Sequence, residues 1–284
     1  MAPLVRRREG RIALSDLGER YRYAWLPPDP HRAMVLVHGY AEHAGRYDAM
    51  AMHFAAQGFA VHAYDQAGHG RTRGPRGHVD RFERLLDELA QFVERTAAEH
   101  PGLPIALVGH SMGGLVVAAT AAFRRPDVER IVLSGPLLEM PTGGSLDRRL
   151  RLLAARILSL VAPRLGLSTG LDAEGLSRDP EVVRRYLADP FVEDRMSARF
   201  AAGLAAMVER VAASARAIER PMLILHGGDD PICPVSGSRR FHAELAPEVA
   251  KRSRLTVYPG LRHEIFNEPE HEAVWREILD WLND

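Results

Sequence analysis

The sequence predicts an α/β protein: a mostly parallel, eight-stranded sheet with helices on both faces and a helical cap inserted late in the chain. Eight short apolar runs, rich in β-branched residues, alternate with longer helical patterns. The central runs, such as Ile105 to Val108, show no polar alternation, which is typical of strands that helices cover on both sides. Residues 140–216 carry only helical patterns and loops, and we expect this stretch to form the cap.

Each predicted element follows from its own apolar pattern. The strands are Arg11 to Leu14, Tyr21 to Leu26, Met34 to Val37, Phe59 to Tyr64, Ile105 to Val108, Ile131 to Leu133, Met222 to Leu225 and Leu255 to Tyr258. The helices are Tyr47 to Gln57, Phe82 to Glu99, Met112 to Arg124, Gly237 to Leu245 and Glu270 to Leu282. We therefore expect a core of residues 1–139 and 217–284, with the cap of residues 140–216 over the carboxyl ends of the strands, where open α/β sheets bind ligands.

Composition excludes several classes of protein. The 284 residues contain 37 Lys and Arg against 37 Asp and Glu, so no overall charge attracts nucleic acid, and we expect no nucleic-acid partner. Cys233 is the only cysteine, which excludes an intramolecular disulfide or a multi-cysteine metal site and suggests a reducing compartment. The chain has no secretory pattern and no run of 18 apolar residues. We expect a cytoplasmic protein.

The most specific motif is Gly109-His110-Ser111-Met112-Gly113-Gly114, which directly follows a predicted strand and precedes a predicted helix. This is G-x-S-x-G in the strand–turn–helix context that the motif requires. A strand that turns sharply into a helix crowds the backbone, so the flanking positions must lack side chains. The pattern predicts Ser111 as a nucleophile that is exposed above the sheet, at the positive end of a helix dipole.

A serine nucleophile needs a base, and the base needs a third group to orient it. His263 is the histidine that follows the last predicted strand and precedes the last helix, so we predict that it is the base. The preceding strand runs into Gly228-Asp229-Asp230, and the spacing from the strand end does not separate the two neighbouring carboxylates. The resulting order of serine, aspartate and histidine is that of the α/β hydrolases.

The oxyanion of such a reaction is bound by two backbone N–H groups, one after the nucleophile and one from the loop after the third strand. That loop is His38-Gly39-Tyr40, so we assign the donors to Tyr40 and Met112. We expect His38 to bond the loop backbone rather than substrate. The proposed chemistry requires no metal ion and no organic cofactor.

With these residues placed, the chain resembles the monoacylglycerol lipases and, more broadly, the lysophospholipase-like branch of the α/β hydrolases. The resemblance rests on His38-Gly39-Tyr40-Ala41-Glu42-His43-Ala44-Gly45-Arg46-Tyr47 and on Gly109-His110-Ser111-Met112-Gly113-Gly114, and it extends from about Arg11 to Leu282. It implies the α/β-hydrolase fold and hydrolysis of monoacylglycerols through an acyl-enzyme on Ser111. It also implies that Asp230, in the family's G-x-x-D turn, is the acid. Gln66 and Ala67 depart from the family pattern.

The resemblance also implies a polar end of the pocket near Glu42 and Arg46, with Phe266 replacing a histidine that lines the glycerol end in mammalian relatives. Two charged residues four positions apart could equally form a salt bridge that fixes the loop. Cys233 follows the acid by three residues, and we expect a small buried side chain there. The alternatives for function are a lysophospholipase, thioesterase or general carboxylesterase and, outside enzymes, a ligand receptor with this fold.

The predicted cap contains a basic amphipathic helix. Apolar residues recur at helical spacing at Leu150, Leu153, Ala154, Ile157, Leu160 and Val161, whereas Arg148, Arg149, Arg151 and Arg156 lie on the opposite arc. The apolar face could dock on an anionic lipid surface, or it could pack on the body of the protein. The resemblance favours docking, which would make the protein peripheral at a membrane surface.

Overall fold

A computed structural model describes residues 4–141 and 157–284. All eight predicted strands form one sheet, in the order β1-β2-β4-β3-β5-β6-β9-β10. Their bounds are β1 Arg6–Leu14, β2 Gly18–Leu26, β3 Arg32–Val37, β4 Phe59–Asp65, β5 Ile105–His110, β6 Arg130–Ser134, β9 Met222–Gly227 and β10 Arg254–Tyr258. The pairs β1/β2 and β2/β4 are antiparallel and the others are parallel, so the predicted fold class is confirmed.

Helices cover both faces of the sheet because each presents an apolar side to it. One core cluster joins the sheet to α2 and α3, and the other joins it to α1 and the C-terminal helix α8. The bounds of these helices are α1 Asp48–Ala56, α2 Glu83–Glu99, α3 Met112–Phe123 and α8 His271–Asn283. Helix α3 consists mostly of small, apolar residues that are buried along almost its whole length. Their small side chains let the helix lie close to β5.

Residues 157–216 contain more than helices. A two-stranded antiparallel ribbon pairs β7, Gly166–Ser168, with β8, Arg195–Ser197, so the expectation of no strand in this stretch was wrong. Each strand is only three residues long and has no apolar run, and the pairing depends on contacts between distant residues. The helices α4, Pro180–Ala188, and α5, Ala198–Ala212, accompany this ribbon.

Helix α5 packs on the body of the protein, because its side chains Phe200, Met207 and Val211 belong to the same core cluster as α2 and α3. The division between core and cap at residues 139/140 and 216/217 stays a prediction. Most of the predicted amphipathic helix lies outside the described residues, although residues 157–161 are helical. No helix in the described ranges is long and apolar enough to cross a bilayer.

Two shorter helices, α6 at Val235–Ala243 and α7 at Pro247–Ala250, connect β9 to β10. Strands β5, β9 and β10 are parallel members of the same sheet. Their carboxyl ends therefore point the same way, and the loops that follow them carry the three predicted catalytic side chains. The fold thus concentrates the predicted site at one edge of the sheet.

Candidate active site

Ser111 sits in a strained turn between β5 and α3. Its φ and ψ are 53° and −120°, and holding a residue other than glycine there costs on the order of 1–3 kcal/mol. A Cβ on Gly109 would lie 2.5 Å from the carbonyl oxygen of Gly113, and a Cβ on Gly113 would overlap the carbonyl oxygens of Val37 and His38. The glycines of the motif are therefore required by close backbone approach.

Of the two neighbouring aspartates, Asp230 contacts the histidine. Its Oδ2 lies 2.7 Å from His263 Nδ1, and its Oδ1 accepts hydrogen bonds from the backbone N–H groups of Ile232 (2.8 Å) and Cys233 (2.9 Å). Asp229 is exposed. Because the carboxylate can only accept, His263 Nδ1 carries the proton and donates it, which leaves the lone pair of Nε2 free to act as a base.

His263 also lies beside the serine turn. Its ring centroid is 4.7 Å from that of His110, the residue before Ser111. A Cβ on Gly135, after β6, would lie 3.3 Å from His263 Nδ1 and 3.4 Å from Asp230 Oδ2, so bare backbone packs against the pair. Cys233 is buried and lines the same cavity as Ser111. The structure thus places Ser111, Asp230 and His263 at one edge of the sheet.

The acid and base perturb each other's protonation. Burial favours neutral forms, but the charge and hydrogen bond of Asp230 outweigh it and raise the pKa of His263 above its usual 6.5. Burial by itself would raise the pKa of Asp230, but the charge of His263, the nearby N–H of His226 and hydrogen bonds from His263 and the Cys233 backbone hold it well below its usual range. Asp230 is therefore ionised at neutral pH, as an orienting acid must be.

The loop after β3 approaches the serine closely. A Cβ on Gly39 would lie 3.1 Å from Ser111 Cβ, and both Tyr40 and Met112 line the same cavity as Ser111. His38 is buried, accepts from the Gln66 backbone N–H through Nε2 (3.0 Å), and donates through Nδ1 to the Gly39 carbonyl (2.7 Å). His38 therefore bonds the loop backbone.

The cavity that Ser111 lines has a volume of about 750 Å³ and a mainly apolar wall. Its apolar lining includes Leu137, Met140, Leu158, Leu167, Met196, Leu204 and Ile232. Several of these residues come from the ribbon and helices of residues 157–216. A cavity of this kind accommodates an apolar chain and excludes water from it.

Glu42 and Arg46 form a buried ion-pair network with Glu264. Arg46 contacts Glu42 Oε2 at 2.7 Å and binds both carboxylate oxygens of Glu264 at 2.7 and 2.8 Å. Glu42 Oε1 accepts from the Gly39 backbone N–H at 2.6 Å. The network therefore ties the Gly39 loop to the residue that follows His263. Glu264 was not singled out from the sequence, because its partner Arg46 lies 218 residues away.

Among the residues that the structure describes, the three predicted substrate contacts, Glu42, Arg46 and Phe266, do not line the cavity of Ser111. Arg46 and Phe266 instead line a separate cavity of about 470 Å³, whose wall is about equally polar and apolar. Their contact with substrate stays a prediction, whereas the alternative salt bridge between Glu42 and Arg46 is present.

A serine in this turn, at the carboxyl edge of such a sheet, defines a class: the protein is a serine hydrolase with the α/β-hydrolase fold. The family model described as Serine aminopeptidase, S33, matches residues 28–270, and the chain belongs to this family. The predicted serine ester hydrolase is thereby confirmed.

Individual relatives agree with this assignment. The monoacylglycerol lipase of Mycolicibacterium smegmatis is 40% identical over 91% of this chain and 90% of its own length. The crystal structure of Paleococcus ferrophilus monoacylglycerol lipase superimposes with a TM-score of 0.83 at 36% identity, covering 93% of this chain and 98% of that one. A phospholipase of Bacillus subtilis is 30% identical over 89% of this chain and 96% of its own length. The resemblance to the monoacylglycerol lipase branch is confirmed.

Proposed function

We propose that this protein hydrolyses monoacylglycerols to glycerol and free fatty acid. The observation that carries the proposal is the position of Ser111 on the wall of a mainly apolar cavity of about 750 Å³. Such a cavity takes up one acyl chain and presents its ester to the serine. The similarity to monoacylglycerol lipases from two organisms supports the choice of alcohol.

In the proposed mechanism, Ser111 Oγ attacks the ester carbonyl while His263 Nε2 accepts the serine proton. The backbone N–H groups of Tyr40 and Met112 bind the oxyanion. Collapse breaks the bond to glycerol, and His263 returns the proton to the departing alkoxide. Water, activated by His263, then hydrolyses the acyl-enzyme and releases the fatty acid. Asp230 holds the tautomer of His263 throughout.

A substrate panel tests this proposal. We expect the wild type to hydrolyse long-chain monoacylglycerol faster than lysophospholipid, acyl-CoA or p-nitrophenyl butyrate of matched concentration. Ser111→Ala should abolish both turnover and labelling by a fluorophosphonate probe. If monoacylglycerol is the poorest of the four substrates, the proposed specificity is wrong, and labelling that persists in Ser111→Ala would contradict the nucleophile.

A lysophospholipase is the second candidate. The observation in its favour is the similarity to the Bacillus subtilis phospholipase. The acyl chain and the chemistry would be the same, and only the leaving alcohol would differ. Faster release of fatty acid from lysophospholipid than from monoacylglycerol would therefore select this function.

We also propose that residues 140–216 form a cap that contacts the membrane surface. The support is a cluster of exposed apolar side chains close to the Ser111 cavity: Ile157, Leu160, Val161 and Leu165 are 46–75% exposed. Arg164 is exposed among them, and Leu158 of the same segment lines the cavity. Exposed leucines beside a basic residue suit the interface of an anionic bilayer.

We propose the cytoplasm, with this peripheral contact, as the location. The support is the single cysteine, Cys233, which is buried as a free thiol.

A further inference from the structure

His226 is a second buried histidine that contacts Asp230. It is the penultimate residue of β9 and is fully buried. Its Nε2 lies 3.1 Å from Asp230 Oδ2 and 3.0 Å from the carbonyl oxygen of Cys233, and its Nδ1 lies 2.8 Å from Ser238 Oγ. Two imidazoles therefore contact the same carboxylate oxygen.

These contacts define the tautomer of His226. Asp230 Oδ2 and the Cys233 carbonyl oxygen can only accept hydrogen bonds, so Nε2 must carry a proton and donate it. In the neutral ring, Nδ1 then has a lone pair, which accepts the hydroxyl proton of Ser238. Ser238 is fully buried on α6, so its hydroxyl is held in place for this bond.

Asp230 receives three hydrogen bonds, from His263 to Oδ2 and from the backbone N–H groups of Ile232 and Cys233 to Oδ1. The protonated Nε2 of His226, which donates to the Cys233 carbonyl oxygen, also lies against Oδ2 at 3.1 Å. A carboxylate bound only by His263 and the two backbone groups could tilt about its Cβ–Cγ bond. The contact with the His226 Nε2–H opposes that tilt and thereby fixes the direction in which Oδ2 faces His263.

We propose that His226, with its ring held by Ser238, is a positioning residue that aims Asp230 Oδ2 at His263 and so supports turnover at Ser111. This inference rests on the proposed function, because it assigns His226 a part in that reaction. Partners that orient metal ligands contribute about 10–100-fold in affinity or activity, and misplacing a catalytic group by about 1 Å costs about 100-fold; we expect an effect of this size for His226.

A matched pair of variants tests the proposal. Glutamine can place an amide N–H where His226 Nε2 stands, whereas asparagine can replace only the group at Nδ1. With p-nitrophenyl butyrate, we expect His226→Asn to lower kcat about 10–100-fold with KM changed less than about twofold, and His226→Gln to retain most of the wild-type kcat. A kcat for His226→Gln at least about tenfold above that of His226→Asn supports the proposal, and a smaller gap overturns it.

Three controls separate this role from general destabilisation and from failure of the proposed function. His62→Gln changes another buried histidine, on β4, and should leave kcat of the folded fraction unchanged. Ser238→Ala removes a single hydroxyl and should lower kcat severalfold. This variant keeps the proposal testable if the His226 variants fail to fold, because a wild-type kcat in Ser238→Ala would then overturn it. If the wild type shows no Ser111-dependent turnover, the proposed function fails instead.

Discussion

At the scale of single residues, the site depends on which of two neighbouring carboxylates the His263 N–H can reach. Asp229 and Asp230 are neighbours with the same chemistry, yet one is exposed and the other has a side chain fully removed from solvent. The difference arises because the turn after β9 directs Asp230 towards His263 and towards two backbone N–H groups.

This difference predicts unequal effects of the same substitution. Asp230→Asn should lower kcat by about 10⁴-fold, because an amide N–H facing His263 Nδ1 favours the wrong tautomer. Asp229→Asn, the matched control, should stay within about twofold of the wild type, since surface substitutions away from the site have small effects. Steady-state hydrolysis of p-nitrophenyl butyrate measures both, and equal losses would contradict the assignment of the acid.

The protonation of His263 predicts the pH dependence. A protonated His263 cannot accept the serine proton, so activity falls as the pH drops through its pKa. Because the charge of Asp230 raises this pKa above 6.5, the acidic limb of the kcat/KM profile should have its midpoint above pH 6.5. A profile measured from pH 5 to 9 checks this, and a midpoint below 6.5 would show that burial outweighs Asp230.

At the scale of elements, close backbone packing and a buried ion pair hold the catalytic loops. The helix α3 begins directly at the serine turn, against the end of β3, with no room for a Cβ at Gly113. On the other side, Arg46 links the loop after β3 to the loop after β10 through Glu264. Neither contact is between residues that are close in sequence.

Gly113→Ala should destabilise the fold by about 1–3 kcal/mol or more, because the new Cβ meets rigid carbonyl oxygens of Val37 and His38. Gly10→Ala is the control, because a Cβ there meets no atom within 4 Å. Urea unfolding should show a lower midpoint for Gly113→Ala only. An unchanged midpoint for Gly113→Ala would show that the serine turn can relax around the new side chain.

Arg46→Lys keeps the positive charge but loses the bidentate hydrogen bonding to the Glu264 carboxylate. The lost charged hydrogen bond should cost about 1.5–3 kcal/mol in the free energy of unfolding. The same change at Arg184, in an exposed pair with Glu181, should leave the free energy of unfolding nearly unchanged, because solvent screens exposed pairs. Comparable losses in the two variants would contradict a special role for the buried network.

At the scale of the whole molecule, the cavity of Ser111 is completed by segments inserted between β6 and β9. Residues of the ribbon, of α5 and of 157–165 line the cavity or lie beside its exposed apolar cluster. The hydrolytic side chains come from the sheet, and much of the apolar wall comes from the insertion. The proposed acyl binding and the proposed membrane contact therefore depend on the same part of the chain.

Replacing two exposed apolar residues tests the membrane contact. The double variant L160S and V161S should bind anionic phosphatidylglycerol vesicles at least about tenfold more weakly, because burying one such side chain is worth about 1.5–3 kcal/mol. Hydrolysis of soluble p-nitrophenyl butyrate should stay unchanged. Leu4→Ser, at an exposed leucine outside the cap, is the control for vesicle sedimentation, and unaltered binding of the double variant would contradict the docking proposal.

The sequence alone determined the features that local patterns encode. The eight strands of the sheet, the serine turn and the histidine after the last strand all follow from apolar runs, glycine spacing and order along the chain. The tertiary structure decided the features that depend on contacts between residues far apart in the sequence. These are the choice of Asp230 over Asp229 as the partner of His263, the network of Glu42, Arg46 and Glu264, and the short β7–β8 ribbon. A hydrogen bond or ion pair depends on positions within a few ångströms, and only the packed fold sets those positions for residues far apart in sequence.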